Sequence, residues 1–403
     1  MNKKFLDTIE YSISDKNILL RTDYNVPIKD DVIINDDRIK ESLPTIDLLW
    51  EKGVKNIIIV THLGRPSGKR TLGLSLEPIK KYLQKIYTDH DVYLTDLYQS
   101  QTVLSNKRNS IILIENIRFY PEEERKSSQI NIELFEQKLA KLADIFVNDA
   151  FGTCHRNHCS MMGKGYEYKI GGLLVKKELT NILPKINSPK RPFVCIMGGA
   201  KVSDKIKLIY NLLDKVDHII IGGGMAFTFL KILKNYEIGD SIFDPVGAKE
   251  IKSIMSKAAE QGVKIHLPID FKTGNNFSED CKKQYIDEGE NIPEGYMGLD
   301  IGIKSCTKFD EVLKKARTIL WNGPMGVFEF ESFSQGTKSI TSKIGDVTER
   351  LQASAIIGGG ETATCFKMYS YTKLGVHVST GGGATLSLLE GTSLPAIDVL
   401  DNI

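Results

Sequence analysis

Basic side chains lie at or near the ends of several short apolar runs in the first 160 or so residues of this chain. They are Arg21, Arg38, His62, Arg65, Arg118 and Arg156. Arginine presents a planar fork of donors that binds phosphate and carboxylate groups bidentately. Any one of these residues alone is most simply explained as ordinary surface charge, so the interpretation depends on all of them sharing one edge. With Asp23 and Asn25 as acceptors for hydroxyl groups, they predict a site for a small anion.

Glycine runs take the same position in the second half of the chain. They are residues 198–199, 222–224, 358–360 and 381–383. Glycine between a strand and a helix lets backbone N–H groups approach phosphate oxygens. A tight turn explains any single run, but four runs in one half favour a nucleotide site. The sequence has no GxGxxG and no GxxxxGK[ST], and GRPSGKR at 64–70 is one residue too short, so this would be neither a Rossmann dinucleotide site nor a P-loop.

Two lysines stand one helical turn apart in the segment GGAKVSDK. Lys201 and Lys205 could meet phosphate oxygens beside the backbone donors of a helix N-terminus. A solvated helix face is the alternative interpretation of this pair.

The segment CHRNHC at 154–159 holds two cysteines and two histidines. Its spacing does not match the separated ligand pairs of structural zinc sites. We therefore interpret Arg156, in the middle of this segment, as an anion ligand rather than as part of a metal cluster.

The elements that must position these residues are short, β-branched apolar runs. They lie at residues 18–20, 57–60, 111–114, 145–147, 193–197, 219–221, 318–321, 355–357 and 376–378. Continuous apolar runs are typical of strands buried on both faces of a parallel sheet, and the intervening segments show helical spacing. The alternation predicts an α/β fold of two doubly wound, mostly parallel-sheet domains, with ligands beyond the carboxyl ends of the strands.

Length, charge and cysteine content bound the class of protein. A chain of 403 residues favours two domains, with a hinge near residues 168–179. The net charge of +2 gives no reason to expect a nucleic-acid partner. The sequence contains no uninterrupted run of about 18 apolar residues, so it does not predict a membrane span. Six cysteines and the absence of an export signal favour a reduced, cytoplasmic setting.

Eight longer segments resemble signatures of the phosphoglycerate kinase family, in family order and over nearly the whole chain. They are RTDYNVP, THLGRP, ENIRFYPEEE, FVNDAFGTCHRNH, GGAKVSDKI, GGGMAFTFLK, WNGPMGVFE and HVSTGGGATLSLLEG. The resemblance implies reversible, Mg²⁺-dependent phosphoryl transfer between 1,3-bisphosphoglycerate and ADP, giving 3-phosphoglycerate and ATP. It implies a 3-phosphoglycerate-binding domain at 1–170 with about 388–403, where the last residues pack back, and a nucleotide-binding domain at 171–387.

The resemblance also implies roles for individual residues. It gives 3-phosphoglycerate the ligands Asp23, Asn25, Arg38, His62, Arg65, Arg118 and Arg156. It gives the nucleotide the ligands Gly199, Lys201, Lys205, Gly223, Gly298, Leu299, Asn322, Glu329, Gly359, Gly360, Glu361 and Thr362, with Phe277 as a further neighbour of the adenine. The residues implied to act on the phosphoryl group during transfer are Arg38, Lys201, Gly382 and Gly383.

One residue departs from the family's pattern. Glu361 follows the glycine run at 358–360, where the family has an aspartate that coordinates the magnesium carried by the nucleotide. The additional methylene extends the carboxylate by about 1.5 Å, and Mg²⁺ demands near-octahedral geometry. We therefore expect activity to survive with an altered affinity for Mg²⁺.

Two other classes of protein stay open at this stage. Without GxGxxG an NAD-dependent oxidoreductase is disfavoured, and a non-catalytic nucleotide-binding relative is supported by Glu361 alone. We expect a monomer whose partners are the small molecules 3-phosphoglycerate, 1,3-bisphosphoglycerate, ADP and ATP, with neither nucleic acid nor a membrane. Because the two ligands would bind separate domains, we expect the domains to close around them during transfer.

Overall fold

The computed structural model describes residues 2–372 and 374–403, which form two compact α/β units. The first unit is Met1–Leu179 with Ser393–Ile403, and the second is Thr180–Thr392. No helix within the described residues has the length and apolar character needed to cross a membrane. All six cysteines are buried free thiols.

The first unit alternates strands and helices around one parallel sheet. Its elements are β1 (Asn17–Arg21), β2 (Ile28–Lys29), β3 (Val32–Ile33), α1 (Asp37–Glu51), β4 (Asn56–Val60), α2 (Glu77–Ile86), β5 (Asp91–Thr95), α3 (Ser100–Ser105), β6 (Ser110–Ile114), α4 (Gln129–Ala140), β7 (Ile145–Asn148) and β8 (Lys169–Gly171). The helix α5 (Leu173–Asn187) begins in the first unit and ends in the second. The sheet has the order β5-β6-β4-β1-β7-β8, and every pairing in it is parallel. The inner strands β4 and β6 are buried at every residue, as their apolar sequences require.

The second unit repeats this architecture and adds a small antiparallel sheet. Its elements are β9 (Phe193–Met197), α6 (Ile206–Leu213), β10 (His218–Ile221), α7 (Met225–Lys234), α8 (Pro245–Ala248), α9 (Ile251–Glu260), β11 (Lys264–His266), β12 (Phe271–Gly274), β13 (Lys283–Ile286), β14 (Met297–Ile301), α10 (Ile303–Leu313), β15 (Thr318–Asn322), α11 (Gln335–Leu351), β16 (Ser354–Gly358), α12 (Gly360–Tyr369), β17 (Val376–Val378) and α13 (Gly383–Leu389). The parallel sheet has the order β11-β10-β9-β15-β16-β17, and the antiparallel sheet has the order β13-β12-β14.

The C-terminal segment returns to the first unit. It contains α14 (Pro395–Asp398), and the backbone N–H of Ala396 donates to the carbonyl of Cys154 at 3.2 Å. The N–H of Asp401 donates to the carbonyl of Lys169 at 2.8 Å, and Leu400 is buried. The expectation that the last residues pack back on the first domain is confirmed.

The predicted α/β fold with mostly parallel sheets is confirmed, and each of the nine apolar runs forms a strand. The sequence analysis did not identify the edge strands β5, β8 and β11 or the antiparallel sheet. These strands are short or partly exposed, so their sequences mix polar with apolar residues.

Candidate functional site

Asp23 is the centre of a polar cluster at the carboxyl edge of the first unit's sheet. It lies just beyond β1, and its Oδ1 is 3.0 Å from an Nη of Arg38 on α1 and 3.9 Å from Nδ1 of His62 beyond β4. The hydroxyl of Thr153 donates to Oδ2 at 3.2 Å, and the N–H of Asn25 donates to Oδ1 at 3.2 Å. Four separate segments of the chain therefore meet at one carboxylate.

The neighbouring cations keep this carboxylate ionised. Burial alone would raise the pKa of Asp23, but the guanidinium charges of Arg38 and Arg21 and the hydrogen bond from the N–H of Asn25 oppose it, and the pKa lies below its usual value. The pKa of His62 lies well below its usual value, first because the ring is buried and then because Arg21, Arg118 and Arg38 surround it. His62 is therefore neutral at pH 7, and the positive charge of the cluster belongs to its arginines.

Arg118 is held in place by the backbone of a neighbouring loop. It lies on a single helical turn, Ile117–Phe119, and its guanidinium donates to the carbonyl of Gly64 at 2.9 Å. The side-chain oxygen of Asn25 accepts from the N–H of the same Gly64 at 2.9 Å. An ion pair of 3.4 Å joins Arg118 to Glu124. Asn25 and Arg118 therefore both form hydrogen bonds with the backbone of Gly64, and these bonds hold the loop in place.

Arg65 and Arg156 have uncommitted guanidinium groups. Arg65 is exposed and Arg156 is partly buried. Neither side chain forms an ion pair or a hydrogen bond with another residue of the described ranges, although Arg156 lies close enough to Arg118 to lower the pKa of that guanidinium. Their donors are therefore available to an anionic ligand.

Arg21 differs from the expectation that it lies on the ligand-facing edge. The structure buries its side chain completely, where Nε donates to the hydroxyl of Ser160 at 2.7 Å and an Nη donates to the carbonyl of Thr22. Its second Nη is 3.9 Å from the buried carboxylate of Glu123. The pattern of strand-end arginines could not predict this burial, because the acid that faces Arg21 is remote from it in sequence.

The CHRNHC segment is stabilised by the backbone rather than arranged around a metal. The thiols of Cys154 and Cys159 donate to the carbonyls of Ala150, at 3.4 Å, and Glu122, at 3.0 Å. Burial, together with the nearby arginines, lowers the pKa of His158 to about 3. In the part of the chain that the structure describes, no three His, Cys, Asp or Glu side chains are grouped as metal ligands.

A cavity of about 340 Å³ opens in the second unit. The expected nucleotide residues that line it are Gly199, Gly223, Gly298, Leu299, Glu329 and Glu361, together with Phe277. Phe227, Phe271, Met297, Met325 and Val327 are among its other apolar lining residues, which the sequence analysis does not predict. For Phe227 the sequence offers one indication, since this residue ends the segment GGGMAF that follows a predicted strand.

Two glycines of this cavity occupy positions that a side chain would obstruct. A Cβ on Gly298 would lie 2.0 Å from Cζ of Phe227 on α7. Gly223 has φ of +62°, and a Cβ there would lie 2.7 Å from the backbone nitrogen of Gly199. The glycines therefore let β14 and the loop after β10 approach their neighbours closely enough to shape the cavity.

The remaining nucleotide residues lie at the carboxyl ends of β9, β15 and β16. The ammonium of Lys205 donates to the side-chain oxygen of Asn322, whose amide donates to the carbonyl of Gly358 at 2.9 Å. Thr362 is buried, and its hydroxyl accepts from the N–H of Gly323 at 2.7 Å. Burial lowers the pKa of Lys205. The side chains of Lys205, Asn322 and Thr362 connect the ends of these strands through hydrogen bonds. They do not line the cavity.

Three further predicted groups have exposed or turn positions. Lys201 is exposed, with no side-chain partner among the described residues. Gly359 precedes α12 with φ of +94°, so that Gly360 and Glu361 open this helix. Gly382 precedes α13 with φ of +49°, and Gly383 is the first residue of that helix. The N–H groups of both helix starts lack partners four residues back within their own helices.

An arginine cluster in one α/β unit and a glycine-lined cavity in another are typical of a phosphotransferase with two separately bound substrates. The sequence model of the phosphoglycerate kinase family matches residues 7–392. Phosphoglycerate kinase 1 of Pongo abelii and that of Homo sapiens are each 46% identical over 416 residues, covering 100% of this chain and 99% of the relative. The chain belongs to the phosphoglycerate kinase family.

Solved structures agree with this assignment. Phosphoglycerate kinase from Coxiella burnetii superposes with a TM-score of 0.84 at 35% identity, covering 97% of both chains. The enzyme from Pyrococcus horikoshii superposes with a TM-score of 0.77 at 31% identity, also covering 97% of both chains. The chain is accordingly a glycolytic phosphotransferase that acts on a carboxyl group, and neither the oxidoreductase nor the non-catalytic alternative receives support.

Proposed function

We propose that the basic cluster of the first unit binds 3-phosphoglycerate and that the cavity of the second unit binds the adenine nucleotide. The observation that carries this proposal is the pair of uncommitted guanidinium groups on Arg65, which follows the Gly64 held by Asn25 and Arg118, and on Arg156, which lies close to Arg118. Free arginine donors suit the phosphate of the substrate, and the carboxylate of Asp23 suits its hydroxyl group. Asn25, His62 and Arg118 complete the proposed substrate ligands.

The second site combines an apolar slot with polar strand ends. The purine would lie between Gly223 and the Gly298–Leu299 strand, near Phe277, and Glu329 would accept from the ribose hydroxyls. The phosphates would meet Lys201, Lys205, Asn322 and the start of α12 at Gly359, Gly360 and Thr362, and Gly199 in the cavity wall would also contact the nucleotide. Backbone N–H groups at a helix N-terminus attract phosphate through the helix dipole.

Glu361 is the proposed protein ligand of Mg²⁺. Its carboxylate is exposed, opens α12 and lines the same cavity as the predicted adenine residues. Mg²⁺ in kinases commonly takes one or two carboxylates, the phosphates of its nucleotide and several waters, so a single glutamate fits. When bound, the ion would neutralise negative charge on the nucleotide phosphates.

The reaction needs orientation and charge neutralisation rather than a base. A carboxylate oxygen of 3-phosphoglycerate would attack the γ-phosphorus of ATP while the bond from that phosphorus to the bridging oxygen of ADP breaks. The attacking carboxylate is already ionised at pH 7, so no proton has to be removed. Arg38 and Lys201 would neutralise the phosphoryl oxygens, and the N–H groups at Gly382 and Gly383 would add donors.

The proposed sites belong to different units, so transfer requires the two ligands to be brought together. A hinge-bending closure would do this and would also exclude water. The domain limits of 1–170 with about 388–403 and of 171–387, the monomeric state, the cytoplasmic location and the lack of a nucleic-acid partner stay predictions of the sequence analysis.

Calorimetric titration of each ligand alone tests the division of sites. We expect Arg65→Ala to weaken 3-phosphoglycerate binding by about tenfold or more, since it removes a charge-assisted contact, and to leave ADP binding unchanged. We expect Lys201→Ala to weaken ADP binding and to leave 3-phosphoglycerate binding unchanged. Loss of both ligands in either variant, or of neither, would contradict the assignment.

A further inference from the structure

The buried guanidinium of Arg21 lies beneath the substrate cluster. Nothing in the proposed reaction uses this residue, because its side chain is fully buried and cannot touch a ligand. It nevertheless lowers the pKa of both Arg118 and His62, although burial is the larger cause for each. The positive charge of Arg21 therefore acts on Arg118 and His62 although the Arg21 side chain is buried.

The hydroxyl of Ser160 joins Arg21 to Glu123. It accepts from Nε of Arg21 at 2.7 Å and donates to Oε1 of Glu123 at 2.6 Å. The backbone N–H of Ser160 donates to the other oxygen of Glu123 at 2.9 Å. Arg21 and Glu123 are both fully buried, with 3.9 Å between the closest guanidinium nitrogen and carboxylate oxygen.

Short turns connect Glu123 to the segment that bears Arg118. The N–H of Glu123 donates to the carbonyl of Tyr120 at 3.2 Å, and the N–H of Tyr120 donates to Ile117 at 3.3 Å. The N–H of Cys159, close to Arg156 in sequence, donates to the carbonyl of Glu123 at 3.0 Å. Glu123 therefore fixes two arginine-bearing segments to the end of β1.

Stability alone does not account for such a pair. Taking two charges out of water costs several kcal/mol for each ion, and well-packed apolar residues often replace a buried ion pair without loss of stability. A buried Arg–Glu pair that is hydrogen-bonded to the segments bearing Arg118 and Arg156 is better explained by the orientation that it gives to those arginines.

We propose that Arg21, through Ser160 and Glu123, is a positioning residue for Arg118 and thereby sets the affinity for the anionic substrate. The inference rests on the proposed binding of 3-phosphoglycerate in the first unit. It adds a residue that never touches the ligand to the determinants of substrate binding.

The test compares steady-state constants in the 3-phosphoglycerate plus ATP direction. The double variant Arg21→Met/Glu123→Gln removes both charges, while the glutamine still offers Ser160 an acceptor, so neither charge is left buried alone. We expect the KM for 3-phosphoglycerate to rise by about tenfold while the KM for ATP stays within about twofold of wild type. A merely structural role would move both constants or neither.

Two reference variants make the outcomes distinguishable. Leu83→Ala, in the buried core of the same unit, destabilises the fold without touching the pair and should leave both KM values unchanged. Arg118→Ala should raise the KM for 3-phosphoglycerate. If Arg118→Ala raises it and the double variant does not, the positioning role is wrong while the proposed site stands. If Arg118→Ala has no effect, the proposed site and the inference both fall.

A conservative variant keeps the test decisive if the double variant does not fold. Arg21→Lys preserves the charge but replaces the planar fork, whose Nε and Nη donate to Ser160 and Thr22, with a single nitrogen that lacks this geometry. We expect it to raise the KM for 3-phosphoglycerate by a smaller factor than the double variant. An unchanged KM in Arg21→Lys would overturn the inference.

Discussion

Some arginines of the proposed substrate site form side-chain hydrogen bonds or ion pairs within the protein, and others have free guanidinium donors. Arg118 donates to the carbonyl of Gly64, and Arg38 pairs with Asp23. Arg65 and Arg156 have no such side-chain partner among the described residues, so an incoming phosphate does not have to displace an existing ion pair. A cluster with both kinds of arginine is preorganised and still has donors to offer.

Glu361 stands where the resemblance implies an aspartate, and we expect its effect to appear in metal affinity. Shortening the side chain in Glu361→Asp withdraws the carboxylate by about 1.5 Å, and Mg²⁺ tolerates little change in ligand geometry. We expect the apparent affinity for Mg²⁺, titrated into the ADP complex by calorimetry, to change by about threefold or more. Equal affinities in the two proteins would contradict this account.

Asp149 predicts a pH dependence of the first unit's stability. Burial raises its pKa to about 7, although Thr45, Val175 and Leu174 donate hydrogen bonds to it. Between pH 3.8 and about 7 the folded chain therefore holds a proton that the unfolded chain has released. The contribution of Asp149 to the free energy of unfolding therefore falls as pH rises through this window and changes no further above it.

Asp149→Asn removes this titration. The amide oxygen can still accept from the N–H groups of Leu174 and Val175, which the Oδ1 atom of Asp149 does now. We expect the variant to be more stable than wild type at pH 8 by about 1 kcal/mol or more, with the difference shrinking towards pH 4. Urea denaturation at several pH values measures it. Parallel pH profiles for the two proteins would show that Asp149 does not titrate in this way.

Among the elements, the meeting of β14 with α7 decides the shape of the nucleotide cavity. Gly298 admits the ring of Phe227 at a distance that any Cβ would block. We expect Gly298→Ala to weaken ADP binding by about tenfold, because either the strand or the ring must shift, and to leave 3-phosphoglycerate binding unchanged. Calorimetric titration of each ligand checks both parts.

The double variant Gly298→Ala/Phe227→Leu is the matched control for this contact. The smaller leucine removes the ring atoms that the new methyl group would meet, so part of the ADP affinity should return. ADP affinity that is normal in Gly298→Ala alone, or no recovery in the double variant, would contradict the packing explanation.

The central strands could be predicted from the sequence, but the walls of the cavity could not. Runs such as residues 57–60 and 111–114 are apolar throughout because both faces of β4 and β6 are buried. Phe227 and Met325, by contrast, reach the same cavity only through tertiary packing, and neither has a sequence pattern different from that of an ordinary core residue. The resemblance supplied Gly298 and Leu299, since spacing alone gave no reason to single them out.

The same limit explains Arg21. A strand-end arginine was expected to face the ligand, and its partner Glu123 stands among several acids in the segment PEEE. Which of those acids is buried depends on the turns of 116–123, and these are set by contacts remote in sequence. The pattern of apolar and polar residues predicts which side of a helix or strand is buried. It does not predict which charged side chains form ion pairs.

At the scale of the whole molecule, we predict that the two units close around their ligands during catalysis. We expect small-angle scattering to show a smaller radius of gyration with 3-phosphoglycerate and a non-hydrolysable ATP analogue together than with either ligand alone, because transfer needs both ligands in line and water excluded. The Arg65→Ala variant, which should not retain 3-phosphoglycerate at the same concentration, is the control. An unchanged radius with both ligands bound would contradict closure.

A coupled assay tests the central claim most directly. Purified protein is mixed with 3-phosphoglycerate, ATP and Mg²⁺, and the 1,3-bisphosphoglycerate formed is followed through its NADH-dependent reduction. We predict turnover on the order of 1–10³ s⁻¹, with a loss of about 10²-fold or more in Arg38→Ala and none in Arg70→Ala, whose exposed arginine pairs with Asp96. No turnover across a wide range of Mg²⁺ and Mn²⁺ concentrations, with nucleotide still bound, would contradict the account.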